Sequence, residues 1–97
     1  MTTLEERLYQ GNRAREILEN EAFINAWADI EKDVIEQWTS SPARDAEGRE
    51  RLWTYLQMLR KLRAQIQQTL ETGQLATVEL QHKQSLADRA RKIFPVL

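Results

Sequence analysis

Three features of the sequence predict an all-α fold. Gly (3) and Pro (2) are scarce among 97 residues, while Leu, Ala, Glu, Gln and Arg dominate. No segment alternates convincingly with a period of two, and no Asn-Gly or Asp-Gly pair marks a hairpin turn. Apolar residues instead recur at helical steps in four stretches. The length allows one domain. The expected architecture is a small bundle. Its backbone is an antiparallel helical hairpin, about 45–72 and 75–94, against which a helix over 21–39 packs. Residues 1–20 form either a further bundle member or an arm that docks on a partner.

The first helix starts at Thr3, an N-cap with Glu6 three residues on as the reciprocal partner of a capping box. Leu4, Leu8, Ala14, Ile17 and Leu18 form its apolar stripe. Gly11 interrupts the stripe, and it either weakens the helix or splits it into two pieces. Asn20 caps the second helix, with Glu21 in the first turn near the positive end of the dipole. There Phe23, Trp27, Ile30, Val34 and Trp38 recur at steps of 4, 3, 4 and 4, widened by Ile24 and Ile35. The acids Asp29, Glu31, Asp33 and Glu36 read as a solvated face. Pro42 pushes Ser41 out of the helical region, so a linker is expected from about Ser40 to Arg44.

Asp45 is the best N-cap of the third helix, and Gly48 a small cost within it. Its stripe is Leu52, Tyr55, Leu59, Leu62, Ile66 and Leu70, with Trp53, Leu56 and Met58 adding apolar surface. Gly73 reads as the C′ residue that ends the helix. A short turn around Thr72–Gln74 would force an antiparallel fourth helix. That helix, Leu75 to Phe94, carries Leu75, Val78, His82, Leu86, Ala90 and Ile93 on one face, and Pro95 stops it.

Composition removes several functional classes. The chain has no Cys, which excludes disulfides, Cys-ligated zinc, iron–sulfur clusters and thiol catalysis. The single His, His82, is expected to be a packed or interfacial residue. There is no Gly-rich phosphate loop, no G-x-S-x-G and no H-E-x-x-H. No catalytic residue, metal ligand or cofactor site is therefore assigned, and a non-enzyme is expected. The N-terminus lacks the apolar core of a secretory signal, and no stretch approaches the roughly 18 apolar residues of a membrane span. The expected location is a reducing cytoplasm, or a particle assembled there.

Charge is unevenly placed. Residues 1–39 hold nine acids and four bases, or −5, and residues 40–97 hold six acids and ten bases, or +4, which sum to the net −1. This polarity suits either neutralisation within one fold or steering of one copy onto another. Basic side chains cluster at Arg60 and Arg63, and again at Lys83, Arg89, Arg91 and Lys92. Such patches are what a nucleic-acid interface requires, although the isoelectric point of about 5.8 is far from basic. The aromatic residues Phe23, Trp27, Trp38, Trp53 and Tyr55 read first as core. Trp53 sits slightly off the main seam, and fills the junction with the second helix or serves as an exposed anchor.

The run Leu18-Glu19-Asn20-Glu21-Ala22-Phe23, then Trp38 and Pro42, then Asp45-Ala46-Glu47-Gly48-Arg49-Glu50-Arg51-Leu52-Trp53, then Leu59 and Leu62, then Glu71-Thr72-Gly73-Gln74-Leu75, resembles a type of short helical open reading frame of tailed bacteriophages. That type is associated with head and packaging genes, and the resemblance covers about residues 12–94. It implies a morphogenesis or virion protein in a host cytoplasm, without an activity to carry over. The leading expectation is a homo-oligomeric, non-enzymatic assembly protein that buries apolar stripes between subunits. The interaction candidates are Trp53, Tyr55, Arg60, Arg63, His82, Lys83, Arg89, Arg91 and Lys92. The alternatives are a DNA-packaging accessory module of the small-terminase kind, and a small regulator or inhibitor that masks a host protein.

Overall fold

The computed structural model describes residues 2–93, so the expected end of a helix at Phe94 and Pro95 lies outside the described residues. The chain is all-α, with α1 over Leu4–Glu19, α2 over Glu21–Ser40 and α3 over Ala46–Ile93. Among the described residues there is no strand.

Each helix start is set by a side chain. Thr3 is extended (φ −72°, ψ 165°) and its hydroxyl accepts from the Glu6 backbone N–H at 3.1 Å. Asn20 (φ −70°, ψ 123°) serves two helices at once. Its own N–H donates to the Ile17 carbonyl at 3.2 Å and closes α1, while its Oδ1 accepts from the Phe23 N–H at 3.0 Å and opens α2. The change of direction between α1 and α2 therefore needs a single residue. Replacing Asn20 by Ala leaves the first turn of α2 with an orphan donor and is expected to cost about 1 kcal/mol. Asn20→Asp should keep nearly all of the stability. Paired thermal melts of the two variants test this, and equal losses would show that the cap is not the cause.

The chain reverses over 41–45. Ser41 is extended (φ −68°, ψ 142°), as a residue before proline must be, and its hydroxyl donates to the Trp38 carbonyl at 2.6 Å. Asp45 Oδ1 accepts from the Gly48 N–H at 3.1 Å and starts α3. The Arg49 guanidinium lies over the Trp38 ring at 5.4 Å and reaches the Ala43 carbonyl at 3.5 Å, so the turn is fastened from both sides.

The hairpin is not the one expected. The turn over 72–74 does not form, and α3 runs unbroken through Gly73 for 48 residues, roughly 70 Å at 1.5 Å per residue. A C′ glycine needs the left-handed region, and no described glycine has positive φ. The residues around Gly73 are helix formers without a proline, so nothing forces the chain out. The Thr77 hydroxyl donates to the Gly73 carbonyl at 3.1 Å, a bond within the continuing helix. Gly73 is small for another reason. A Cβ built on it would stand 2.7 Å from the Gly11 Cα and 3.1 Å from the Arg7 carbonyl oxygen, and a Cβ on Gly11 would stand 2.6 Å from the Gly73 Cα. The two glycines are the point where α1 crosses α3 backbone to backbone. Gly11 accordingly neither ends nor splits α1.

Around this crossing, Ala14 (4% exposed) and Ala76 (0%) pack, each three residues past its glycine. Arg7 meets Glu79 at 3.3 Å on one side of it, and Ile17 lies near Ile66 on the other, so α1 runs antiparallel to the middle of α3. Further on, Glu31 pairs with Arg60 at 3.5 Å and Trp38 lies near Trp53, so α2 runs antiparallel to the first half. The true hairpin has α1 and α2 in tandem as one arm and α3 as the other. It measures 80 × 25 × 17 Å.

Candidate interaction surface

A rod two helices thick buries little. Among the described residues, Ala14, Trp27 and Ala76 are the buried apolar ones, and no large side chain is fully enclosed. Trp27 (7% exposed) is the largest of them. Its ring lies 5.7 Å from that of Phe23, the Arg63 guanidinium sits over it at 5.8 Å, and its indole N–H donates to Glu31 at 3.2 Å. Glu31 is thus half-buried and holds Trp27 and Arg60, so it does not belong to the solvated acidic face expected of α2.

The expected core aromatics separate. Trp38, Trp53 and Tyr55 are exposed. The seam of α3 is rotated from the expected stripe. Leu52, Leu56 and Leu59 in the first part of α3, and Ile66, Leu70 and Leu80 around the buried Gly73 and Ala76, are half-buried, while Tyr55 and Leu62 are each 55% exposed. The second half of the expected pattern fares the same way. Leu75, Val78, His82, Leu86, Ala90 and Ile93 are all exposed, and Ala76 and Leu80 face α1 instead. A helix with apolar side chains on more than one face can satisfy either choice. The glycine crossing decides which face α1 covers.

Three exposed apolar surfaces result. The first is a pair of adjoining grooves between α2 and α3. One, of about 280 Å³, is lined by Val34, Ile35, Trp38, Leu52, Trp53 and Leu56. The other, of about 470 Å³, is lined by Leu18, Phe23, Ile24, Trp27, Ile35 and Arg63, and Ile35 joins them. The second is the face of α3 that carries Tyr55, Met58 and Leu62, which are exposed. The third is the outer face of α3 beyond Gly73, with Leu75, Val78, Leu86 and Ile93 exposed.

The charged candidates do not converge. Arg60 and Arg63 belong to the α2 contact. Lys83 pairs with Glu79 at 3.7 Å and Arg91 with Asp88 at 3.8 Å, and His82, Arg89 and Lys92 are exposed. Between Arg60 and Lys92 the helix rises roughly 50 Å, so these side chains cannot act on one small molecule. Contact with Tyr9, over whose ring it lies at 5.0 Å, and then a hydrogen bond that it donates to Glu16 at 3.0 Å hold the Arg13 guanidinium above its ordinary pKa. Arg13 is charged in either case. No group of three or more His, Asp or Glu residues able to hold a metal ion occurs among the described residues. No described helix is long and apolar enough to cross a membrane.

Sequence reasoning missed Gly11, Gly73, Ala14 and Ala76 as a set. Their signal was present as two Gly-x-x-Ala runs, Gly11–Ala14 and Gly73–Ala76. Compared with protein families, with curated proteins and with solved structures, the chain matches nothing.

Proposed function

We propose that the chain is a non-enzymatic assembly protein that completes its core against further copies of itself. The observation that carries this reading is a surface area too large for a finished monomer. The chain exposes 8122 Å². A compact protein of 11.4 kDa exposes about 5,800 Å² by the usual scaling. The radius of gyration is 21.9 Å, against about 12.5 Å for a compact chain of this length. The grooves between α2 and α3 carry the aromatic side chains that anchor interfaces, Trp38 and Trp53.

Charge supports a self-complementary pairing through these grooves. The α2 segment holds five acids and one base, or −4, and residues 46–63 of α3 hold five bases and two acids, or +3. A two-fold pair that sets α2 of one copy on α3 of the other joins opposite signs twice. The resemblance to phage head-region reading frames supports placing such an assembly in virion morphogenesis, within a host cytoplasm. Light scattering across salt concentrations tests the reading. A dimer or larger species is expected at tens of micromolar in low salt, with mass falling as salt rises. A strict monomer under those conditions would overturn it, and would turn attention to a host protein as the partner.

A DNA-holding role is less well supported. At 100° per residue, Lys83, Arg89, Arg91 and Lys92 project from all sides of α3. A phosphate backbone follows a stripe. No salt-dependent binding to random duplex DNA is expected, and tight binding at low salt would restore the packaging alternative.

A further inference from the structure

We propose that the outer face of α3 beyond Gly73 is a second interface, which pairs antiparallel with the same segment of another copy. The inference rests on the self-assembly reading, and adds to it a second surface and its geometry. Three observations carry it.

The first is position. Leu75, Val78, His82, Leu86 and Ile93 fall on one face of α3, roughly opposite Gly73, Ala76 and Leu80, which lie under α1. Arg7 of α1 reaches only to Glu79, and every residue from 81 to 93 is exposed. The face is thus free along its length. The second is spacing. Leu75 and Leu86 are eleven residues apart, and so are His82 and Ile93. An eleven-residue repeat keeps side chains in line along a nearly straight helix. The third is area. The surface beyond that of a compact chain is about 2,300 Å², nearly three times the ~800 Å² that one partner gives to a standard interface. One contact through the α2–α3 grooves leaves the extension of α3 uncovered.

The placement of charge along the segment sets the direction of the pair. Residues 64–82 carry two acids, Glu71 and Glu79, and no Lys or Arg, whereas 83–93 carry Lys83, Arg89, Arg91 and Lys92 against Asp88. A parallel pair would set Arg89 on Arg89 and Glu79 on Glu79. An antiparallel pair centred on residue 84 sets Leu75 against Ile93, Val78 against Ala90, Glu79 against Arg89, and His82 against Leu86, twice over by symmetry. Arg89 has no ion pair within the chain among the described residues, and it would join Arg7 and Lys83 at the 45% exposed Glu79 carboxylate. Together with the α2–α3 contact, such a pair joins copies end to end.

The absence of native Cys allows a direct test. Two full-length variants, Leu75→Cys and Ile93→Cys, are made with tags of different mass, mixed and oxidised in low salt. The mixed disulfide is expected to dominate, because only those two positions meet. Disulfides of Leu75→Cys with itself in preference would mean a parallel pair and would overturn the proposal. Failure of both products while light scattering still shows an oligomer would overturn this interface and leave the self-assembly reading standing. A monomer throughout would remove both. Leu86→Lys, at an exposed position that α1 does not touch, gives a second readout. It should remove one association step and at least halve the largest mass seen, and an unchanged mass distribution would count against the seam.

Discussion

Replacing Gly73 by Ala is expected to destabilise the chain by about 1–3 kcal/mol, although the same change at an open helical site would stabilise it by roughly 0.5–1 kcal/mol. The sign reverses because of what the new methyl meets. It would lie 2.7 Å from the Gly11 Cα and 3.1 Å from the Arg7 carbonyl oxygen. Both are backbone, so no rotamer change can make room, and α1 must move off α3 as a body. Ala14 and Ala76, the most enclosed apolar residues, would then be exposed together. Gly11→Ala should act the same way, with its methyl 2.6 Å from the Gly73 Cα. The double variant should cost less than the sum of the two, since a crossing already opened can admit a second methyl. Denaturant unfolding followed by circular dichroism measures all three. A rise in stability for Gly73→Ala would show that α1 does not rest on α3 at this point.

The largest loss is expected for Trp27→Ala, about 3–5 kcal/mol. Native domains are stable by only about 5–15 kcal/mol in total, and a two-helix rod with this little enclosed surface belongs at the low end, so the variant should lose its cooperative melt. Trp27 is 7% exposed, and it holds Phe23, Glu31 and Arg63 around it. Removing the ring leaves α2 attached to α3 mainly through the Glu31–Arg60 pair at 3.5 Å and the half-exposed Val34 and Trp38 contacts. Surface ion pairs of that kind contribute roughly 0–1 kcal/mol. Trp27→Phe should retain the melt at a lower midpoint. The midpoint of the unaltered protein should rise with protein concentration, because association stabilises the folded chain by mass action. A Trp27→Ala variant with an unchanged transition would mean that α2 is held by something other than its one enclosed aromatic residue.

The starts of all three helices, and the ends of α1 and α2, were legible in the sequence because capping is local. Thr3, Asn20, Ser41 before Pro42, and Asp45 each act within three or four residues, and each stands where the spacing put it. The packing of α2 on α3 was legible, but the pairing of α1 with α3 was not. Gly73 carries the same letter whether it ends a helix or lets another helix touch it, and only the residue across the gap distinguishes the two. That residue is Gly11, far away in the chain. The missing turn then reassigned the faces. Tyr55 and Leu62, expected in the seam, are exposed, while Ala76 is fully enclosed. Trp53 was open to either reading, as core or anchor, and it lies exposed in the α2–α3 groove. The basic positions of α3 lie exposed, and a helix that does not fold back cannot gather them.

The glycine crossing also sets the order of events when the protein is made. Gly73 leaves the ribosome about 60 residues after Gly11, a delay of several seconds at roughly 5–20 residues per second. Through that interval α1 has no docking site. A nascent chain released early, or cut before residue 73, keeps an N-terminal segment that has nowhere to settle. Proteolysis of truncated chains should therefore begin in α1.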